Sequence, residues 1–281
     1  MKLGAHVSTS GGLSKAIERA EEIGAEAIQI FASSPRMWRF VEPKPEEIKL
    51  FKKLSSEKNI DPCYIHGSYL VNIGGDPSLL DKSITSLTNN MHVAGEIGAQ
   101  GVIFHGGSHK GKGFENILDQ AVECLNQVLA NSPDHVFLCI ENSAGMGSHI
   151  GSSFEEIAMI IDAVNRPNLK VCLDTEHLFA AGYNIVNPVD LEIIMDEFNT
   201  KIGIDKLVAV HANDSKVEFG SGIDRHENIG EGHIGIDGFQ AIMSDPSFQD
   251  VPFFLEVPGF ESNGPDKKNL DILKNIRRNV R

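Results

Sequence analysis

Short apolar runs alternate with amphipathic stretches along the whole chain. Eight runs read as strands: Leu3–His6, Ala27–Phe31, Pro62–His66, Gly101–His105, Val136–Ile140, Lys170–Asp174, Leu207–His211 and Pro252–Glu256. Most are continuously apolar rather than alternating, the pattern of strands buried on both faces. Between them the apolar positions follow a period near 3.6. Leu13, Ala16, Ile17, Ala20 and Ile23 share one face, as do Leu118, Val122, Leu125 and Leu129, and Ile157, Ile160, Ile161 and Val164. Ser153, with Glu156 three residues on, predicts a capping box, and Pro45 suits a first helical position. Eight strand–helix units with no linker predict an α/β fold, a (β/α)8 barrel of the TIM type, with residues 1–281 as a single domain. An open doubly wound sheet would carry a glycine fingerprint after its first strand. The segment there is HVSTSGG, which does not match.

In such barrels the reactive side chains stand at the C-terminal ends of strands. Six consecutive predicted strands end in His66, His105, Glu141, Asp174, His211 and Glu256, whereas His, Asp and Glu make up only 50 of the 281 residues. One such residue reads as a satisfied polar strand end. Six ionisable groups on one rim would repel or strand one another without cations. Three loop residues join them: His177, in Asp174-Thr-Glu-His177, and Asp224 and His226, in Asp-Arg-His. Imidazoles mixed with carboxylates suit Zn²⁺, Mn²⁺ or Fe²⁺ better than Mg²⁺ or Ca²⁺. Nine ligands at three or four per ion serve about three ions. His6 divides evenly between a supporting and a structural role. His109 lies on the same rim within reach of a substrate, and His92, His135, His149 and His233 read as ordinary surface or loop residues.

Composition adds limits. The net charge of −14 argues against a nucleic-acid partner, although it says little about one cleft. No apolar run approaches the ~20 residues needed to span a bilayer, and the N-terminus lacks a signal-peptide pattern, so a cytoplasmic location is expected. Cys63, Cys124, Cys139 and Cys172 form no C-x-x-C pair and read as reduced, buried thiols. Two long loops stand out. Residues 33–45 carry Arg36, the only tryptophan, Trp38, and Arg39, and residues 212–237 are rich in Gly, Asp, His and Asn.

The motifs GAHVS, HGSYLVNIG, FHGGSH, IENSAGMGS, DTEHLFAAGY, HANDSK, DRHENIGEGHIG and LEVP occur in this order. In them the chain resembles the endonuclease IV-type apurinic/apyrimidinic (AP) endonucleases, TIM-barrel zinc enzymes of DNA base-excision repair. The resemblance implies a trinuclear zinc cluster, with Mn²⁺ or Fe²⁺ possible at one site. His66, His105 and Glu141 would hold one ion. Glu141 would bridge to a second, which also takes Asp174, His211 and Glu256. His177, Asp224 and His226 would hold the third. It further implies hydrolysis of the phosphodiester 5′ to an abasic site in double-stranded DNA, leaving 3′-hydroxyl and 5′-deoxyribose phosphate ends. The nucleophile would be a metal-bound hydroxide positioned by Glu141. Arg36, Tyr69 and Leu70 match the family's DNA-bending and gap-filling positions, and a monomer would suffice. Gly106, Glu176 and Asn184 stand where the family commonly has proline, cysteine and aspartate. Glu176 thereby adds a carboxylate beside the third site.

Two rival readings remain open at the level of sequence. Glu141, Asp174, His211 and Glu256 alone could supply a single-metal sugar isomerase or epimerase of the xylose-isomerase-like barrel type, which would leave the other five ligands surplus. A non-enzymatic DNA-damage binder or a metal-storage barrel would keep the ligands without turnover.

Overall fold

The structure, a computed structural model, describes residues 1–280. Eight parallel strands close into a barrel: β1 (Leu3–His6), β2 (Ala27–Ile30), β3 (Cys63–His66), β4 (Gly101–His105), β5 (Phe137–Glu141), β6 (Leu169–Asp174), β7 (Leu207–His211) and β10 (Phe253–Leu255), with β10 sealing against β1. A two-stranded antiparallel ladder, β8 (Asp214–Ser215) and β9 (His226–Glu227), lies within the long loop after β7. The helices α1 (Ser14–Ile23), α2 (Pro45–Lys58), α3 (Pro77–Ile97), α4 (Leu118–Ala130), α5 (Phe154–Val164), α6 (Thr175–Ala180), α7 (Pro188–Lys201), α8 (Gly235–Ser244) and α9 (Lys267–Asn279) follow the strands. No helix among the described residues is long and apolar enough to cross a membrane.

Local chemistry explains the element ends. Pro45 opens α2, and Pro77 and Pro188 open α3 and α7, where a missing N–H costs nothing. Ser153 caps α5 by accepting from the Glu156 N–H. The expected return bond is displaced: Glu156 Oε2 accepts from the N–H groups of Gly151 and Ser152 instead. The strands depart from their expected bounds by at most a residue or two, with Glu141 falling inside β5 and Glu256 just beyond β10.

Strand alternation divides the barrel into an outer and an inner core. Ile28, Ile65, Phe104, Ile140, Leu173, Val210 and Leu255 point outward and pack under the helices. Ala27, Tyr64, Ile103, Cys139, Cys172, Ala209 and Phe254 point inward and form one closed apolar cluster. The matching position on β1 is Gly4. A Cβ there would lie 2.2 Å from the Ala27 carbonyl oxygen, so the seam between β1 and β2 admits only glycine.

Candidate metal centre and DNA-facing rim

Two residues beyond each inner-core position the strands present polar side chains to the barrel mouth: His6, Gln29, His66, His105, Glu141, Asp174, His211 and Glu256. Period-two alternation puts each on the same face as the apolar residue below it. Six are the strand-end residues singled out by sequence, and the structure brings all six to one mouth.

Their ligand atoms fall into groups lying within 4.8 Å of one another. His66, His105 and Glu141 form one, and Glu141, Asp174, His211 and Glu256 form another. Glu141 turns one oxygen to each: Oε2 lies 3.4 Å from His66 Nε2 and 3.5 Å from His105 Nδ1, and Oε1 lies 3.0 Å from His211 Nδ1. His211 Nδ1 is also 3.2 Å from Glu256 Oε2 and 3.7 Å from Asp174 Oδ2. The third group contains Asp174, Glu176, His177 and His226. Asp224 faces both of its histidines, at 3.4 Å from His177 Nε2 and 3.5 Å from His226 Nε2. Of the expected third set, His177 and His226 fall in this group together with Asp174 and Glu176, whereas Asp224 lies outside it and faces both histidines.

His177 is not in a loop, as the sequence suggested. Asp174 caps α6 by accepting from the His177 N–H through Oδ1, which fixes His177 one turn into a helix. Asp174 Oδ2 is left facing the mouth, where it accepts from Asn213 Nδ2 at 2.7 Å.

The histidines are oriented for metal. One ring nitrogen of His66, His177 and His226 meets a backbone carbonyl, of Gly67, Asn142 and Glu256 respectively, and the other turns into the cluster. For His211 the outer partner is Gln29 Oε1, 2.8 Å from Nε2. Such outer partners fix the tautomer that leaves the inner nitrogen free to ligate. Two ligands ~2.05 Å from a tetrahedral ion stand ~3.3 Å apart. Several gaps across the groups, 3.4 to 3.7 Å, are too long for good hydrogen bonds and lie near that spacing. Glu141 Oε2, His226 Nε2 and Glu176 Oε2 are buried with no hydrogen-bond partner. The residues present therefore fit divalent cations.

The electrostatics agree. Burial would lower His177 and His211, but surrounding carboxylates, Asp174 first for His177 and Glu256 and Glu141 for His211, hold both well above the usual histidine range. Burial would raise Glu141, but His105 and His211 hold it well below the carboxylate range. Burial pulls His105 down to about 4. Burial and then the Asp174 charge push Glu176 up to about 7.

The rim above is built from loops. Tyr69 donates its N–H to the Pro35 carbonyl, tying the β3 loop beside Arg36. Tyr69 is 53% exposed, with its ring 5.7 Å from that of His66, and Arg36 is exposed. Leu70 is half-buried beside them. A cavity of about 510 Å³ opens between Trp38, Tyr69, Leu70, His105, His177 and Asp224. Arg39, Lys110, Lys112, Lys216 and Arg225 are exposed on the same set of loops. The weaker histidines divide. His6 Nδ1 lies 3.1 Å from Glu256 Oε1, a supporting position. His109 accepts from the Gly113 N–H within its own loop. His92, His135 and His233 are exposed, whereas His149 is half-buried and lines the cavity.

Sequence reasoning missed three supporting side chains. Gln29 donates to Glu256 Oε1 at 2.6 Å while holding His211. Its signal was a polar residue inside an otherwise apolar strand. Asn213 links Asp174 to the Glu256 N–H. The Asp214 carboxylate accepts from the N–H groups of Ser215, Gly230, Gly232, Ile234 and Gly235, folding the loop that follows β9.

Comparison with known proteins matches this architecture. The family described as xylose isomerase-like TIM barrel matches residues 17–276. A Halothermothrix orenii protein named "Probable endonuclease 4" is 40% identical over 276 residues, covering 98% of this chain and 99% of its own. The crystal structure of endonuclease IV from Thermus thermophilus superposes with a TM-score of 0.88 at 33% identity, covering 99% of this chain and 100% of that one. A D-tagatose 3-epimerase-like protein superposes with a TM-score of 0.78 at 21% identity, covering 100% of this chain and 98% of that one, a likeness of fold alone. The chain belongs to the endonuclease 4 family of the xylose isomerase-like TIM barrels.

Proposed function

We propose that the chain is a metal-dependent AP endonuclease of base-excision repair that hydrolyses the phosphodiester 5′ to an abasic site in duplex DNA. The products are a 3′-hydroxyl and a 5′-deoxyribose phosphate. The observation that carries this reading is the convergence of nine imidazole and carboxylate side chains, in groups joined by Glu141 and Asp174, at the floor of a rim that carries Arg36 and Tyr69.

In this reading His66, His105 and Glu141 hold one cation, Glu141, Asp174, His211 and Glu256 a second, and His177, Asp224 and His226 a third, with zinc favoured by the donor set. When bound, divalent cations supply an activated water with a pKa near ~7, polarise the phosphoryl oxygens and neutralise charge on the departing oxygen. The chain supplies the rest. Glu141 would belong to both of the first two sites, with Oε2 toward His66 and His105 and Oε1 toward His211, and would position the attacking water. Gln29 and Asn213 keep His211 and Asp174 from rotating away. Tyr69 and Leu70 enter the gap left by an extruded abasic nucleotide, and Arg36 meets the backbone beside it. An unpaired nucleotide is cheap to extrude, so extrusion itself selects the lesion. One chain carries every candidate ligand, and residues 1–281 act as one domain. Despite the net charge of −14, the exposed Arg36, Arg39, Lys110 and Arg225 on the rim would meet the phosphates of the backbone.

The test is incubation of metal-replete protein with a duplex carrying one abasic site and with an undamaged control. Nicking 5′ to the lesion, with an extendable 3′-hydroxyl, is expected only in the damaged strand. Absence of nicking, or a Glu141→Gln variant equal to wild type, would overturn the reading.

A further inference from the structure

Glu176 is a mouth carboxylate that the nine-residue ligand set leaves unused. It is fully buried in the first turn of α6. Its two oxygens have different surroundings. Oε1 accepts from the Arg225 N–H at 3.0 Å and faces the Ser215 hydroxyl at 3.4 Å. Oε2 is buried with no hydrogen-bond partner. A carboxylate oxygen of Glu176 lies within 4.8 Å of ligand atoms of Asp174, His177 and His226. His226 Nε2, in the same group, is likewise buried with no hydrogen-bond partner. A buried carboxylate beside Asp174 is costly to leave unpaired, and no Lys or Arg side chain among the described residues bonds it. A cation between Glu176 and His226 would satisfy both orphaned atoms at once.

We propose that Glu176 is a further protein ligand of the third metal site, converging with Asp174 on His177 and His226, the two histidines that Asp224 also faces. This rests on the three-cation reading above. The converging group then offers two imidazoles, of His177 and His226, and two carboxylates, of Asp174 and Glu176, besides Asp224, and the added charge tightens the site. Through Oε1 the same side chain holds the backbone between Asp224 and His226, so metal binding and the position of that segment are coupled.

A purely anchoring role is the competing explanation, and the two can be separated. Glu176→Gln keeps an oxygen for the Arg225 N–H and removes the charge, whereas Glu176→Ala removes both. Wild type and both variants are loaded with Zn²⁺, freed of excess and titrated with a chelator. Zinc release is followed by a chromogenic indicator and total metal by elemental analysis. Wild type is expected to hold three equivalents. In E176Q one equivalent should leave at a chelator concentration lower by about tenfold or more, and the other two at wild-type concentrations. An E176Q curve that superimposes on wild type overturns the proposal, whatever E176A does. If wild type itself holds only one equivalent, the three-cation reading falls and this inference with it. Three equivalents with E176Q unchanged overturns this inference alone. Circular dichroism checks the fold. If E176Q does not fold, E176D replaces it, since it keeps the charge but shortens its reach. Early loss of one equivalent is again expected, and a wild-type curve overturns the proposal.

Discussion

The floor and the mouth of this barrel lie two residues apart on every strand and have opposite chemistry. Cys139 lies below Glu141, Cys172 below Asp174, Ala209 below His211 and Phe254 below Glu256. The floor is apolar apart from the Tyr64 hydroxyl, which donates to the Val208 carbonyl, and burial pushes the Cys172 thiol there up to about 11. The mouth concentrates carboxylates and imidazoles. Such a pairing lets a barrel hold many ionisable groups in one place. A dry, packed floor strengthens every charge interaction directly above it and denies the side chains room to move. Stability should therefore reside in the floor and activity in the mouth.

The largest effect is expected at Glu141. Glu141→Gln should lower incision of abasic duplex by about 10³-fold, roughly 4 kcal/mol of barrier. The denaturant midpoint of metal-free protein should fall only modestly at neutral pH, because the histidines that hold Glu141 ionised lose a partner while the apolar floor is untouched. Steady-state rates and unfolding on one preparation check both, and a variant that lost stability in step with activity would erase the division. The converse is Phe254→Ala, which should cost about 3–5 kcal/mol of stability by opening a cavity in the floor. Urea unfolding measures it, and a loss below about 1 kcal/mol would mean the floor does not support the mouth.

A smaller effect is expected at the rim. Tyr69→Ala should weaken binding to abasic duplex by about tenfold, the size of one lost stacking contact, with metal content unchanged. Equilibrium binding at several salt concentrations checks this, and the affinity of wild type should fall as salt rises. An interaction indifferent to salt would remove the rim from the DNA-binding surface.

The smallest effect is a pH dependence of metal affinity. The nearby acidic groups hold His177 and His211 above the usual histidine range, so in metal-free protein these rings keep their protons to higher pH. Metal must displace those protons, so apparent affinity should rise with pH until it passes the raised values, and fall on acidification. Competition titrations between about pH 6 and 9 check the sign. Affinity flat across that window would mean that these rings do not face the ions.

Much of this division was legible in the sequence. The apolar runs marked the strands because parallel barrel strands are buried on both faces, and the residue ending each run marked the mouth. Pro45 and Ser153 marked helix starts through their own backbone chemistry. The rest depends on contacts between segments far apart in the chain. Asp174 both caps α6 and faces the cluster, so His177 sits in a helix where the sequence suggested a loop. Gln29 reaches His211 across 182 residues, and Asn213 ties Asp174 to Glu256. Asp214 organises a loop through five N–H groups that carry no side-chain signature. Glu176 was visible as an extra carboxylate, but its orphaned oxygen was not.

With nine candidate ligands converging on it, the mouth is expected to hold several cations rather than one. The most direct measurement is the number of zinc equivalents retained per chain after loading and removal of excess metal, by elemental analysis. The nine converging ligands predict about three. A value of one would contradict the claim and leave Glu141, Asp174, His211 and Glu256 as the single-metal site of a sugar isomerase or epimerase.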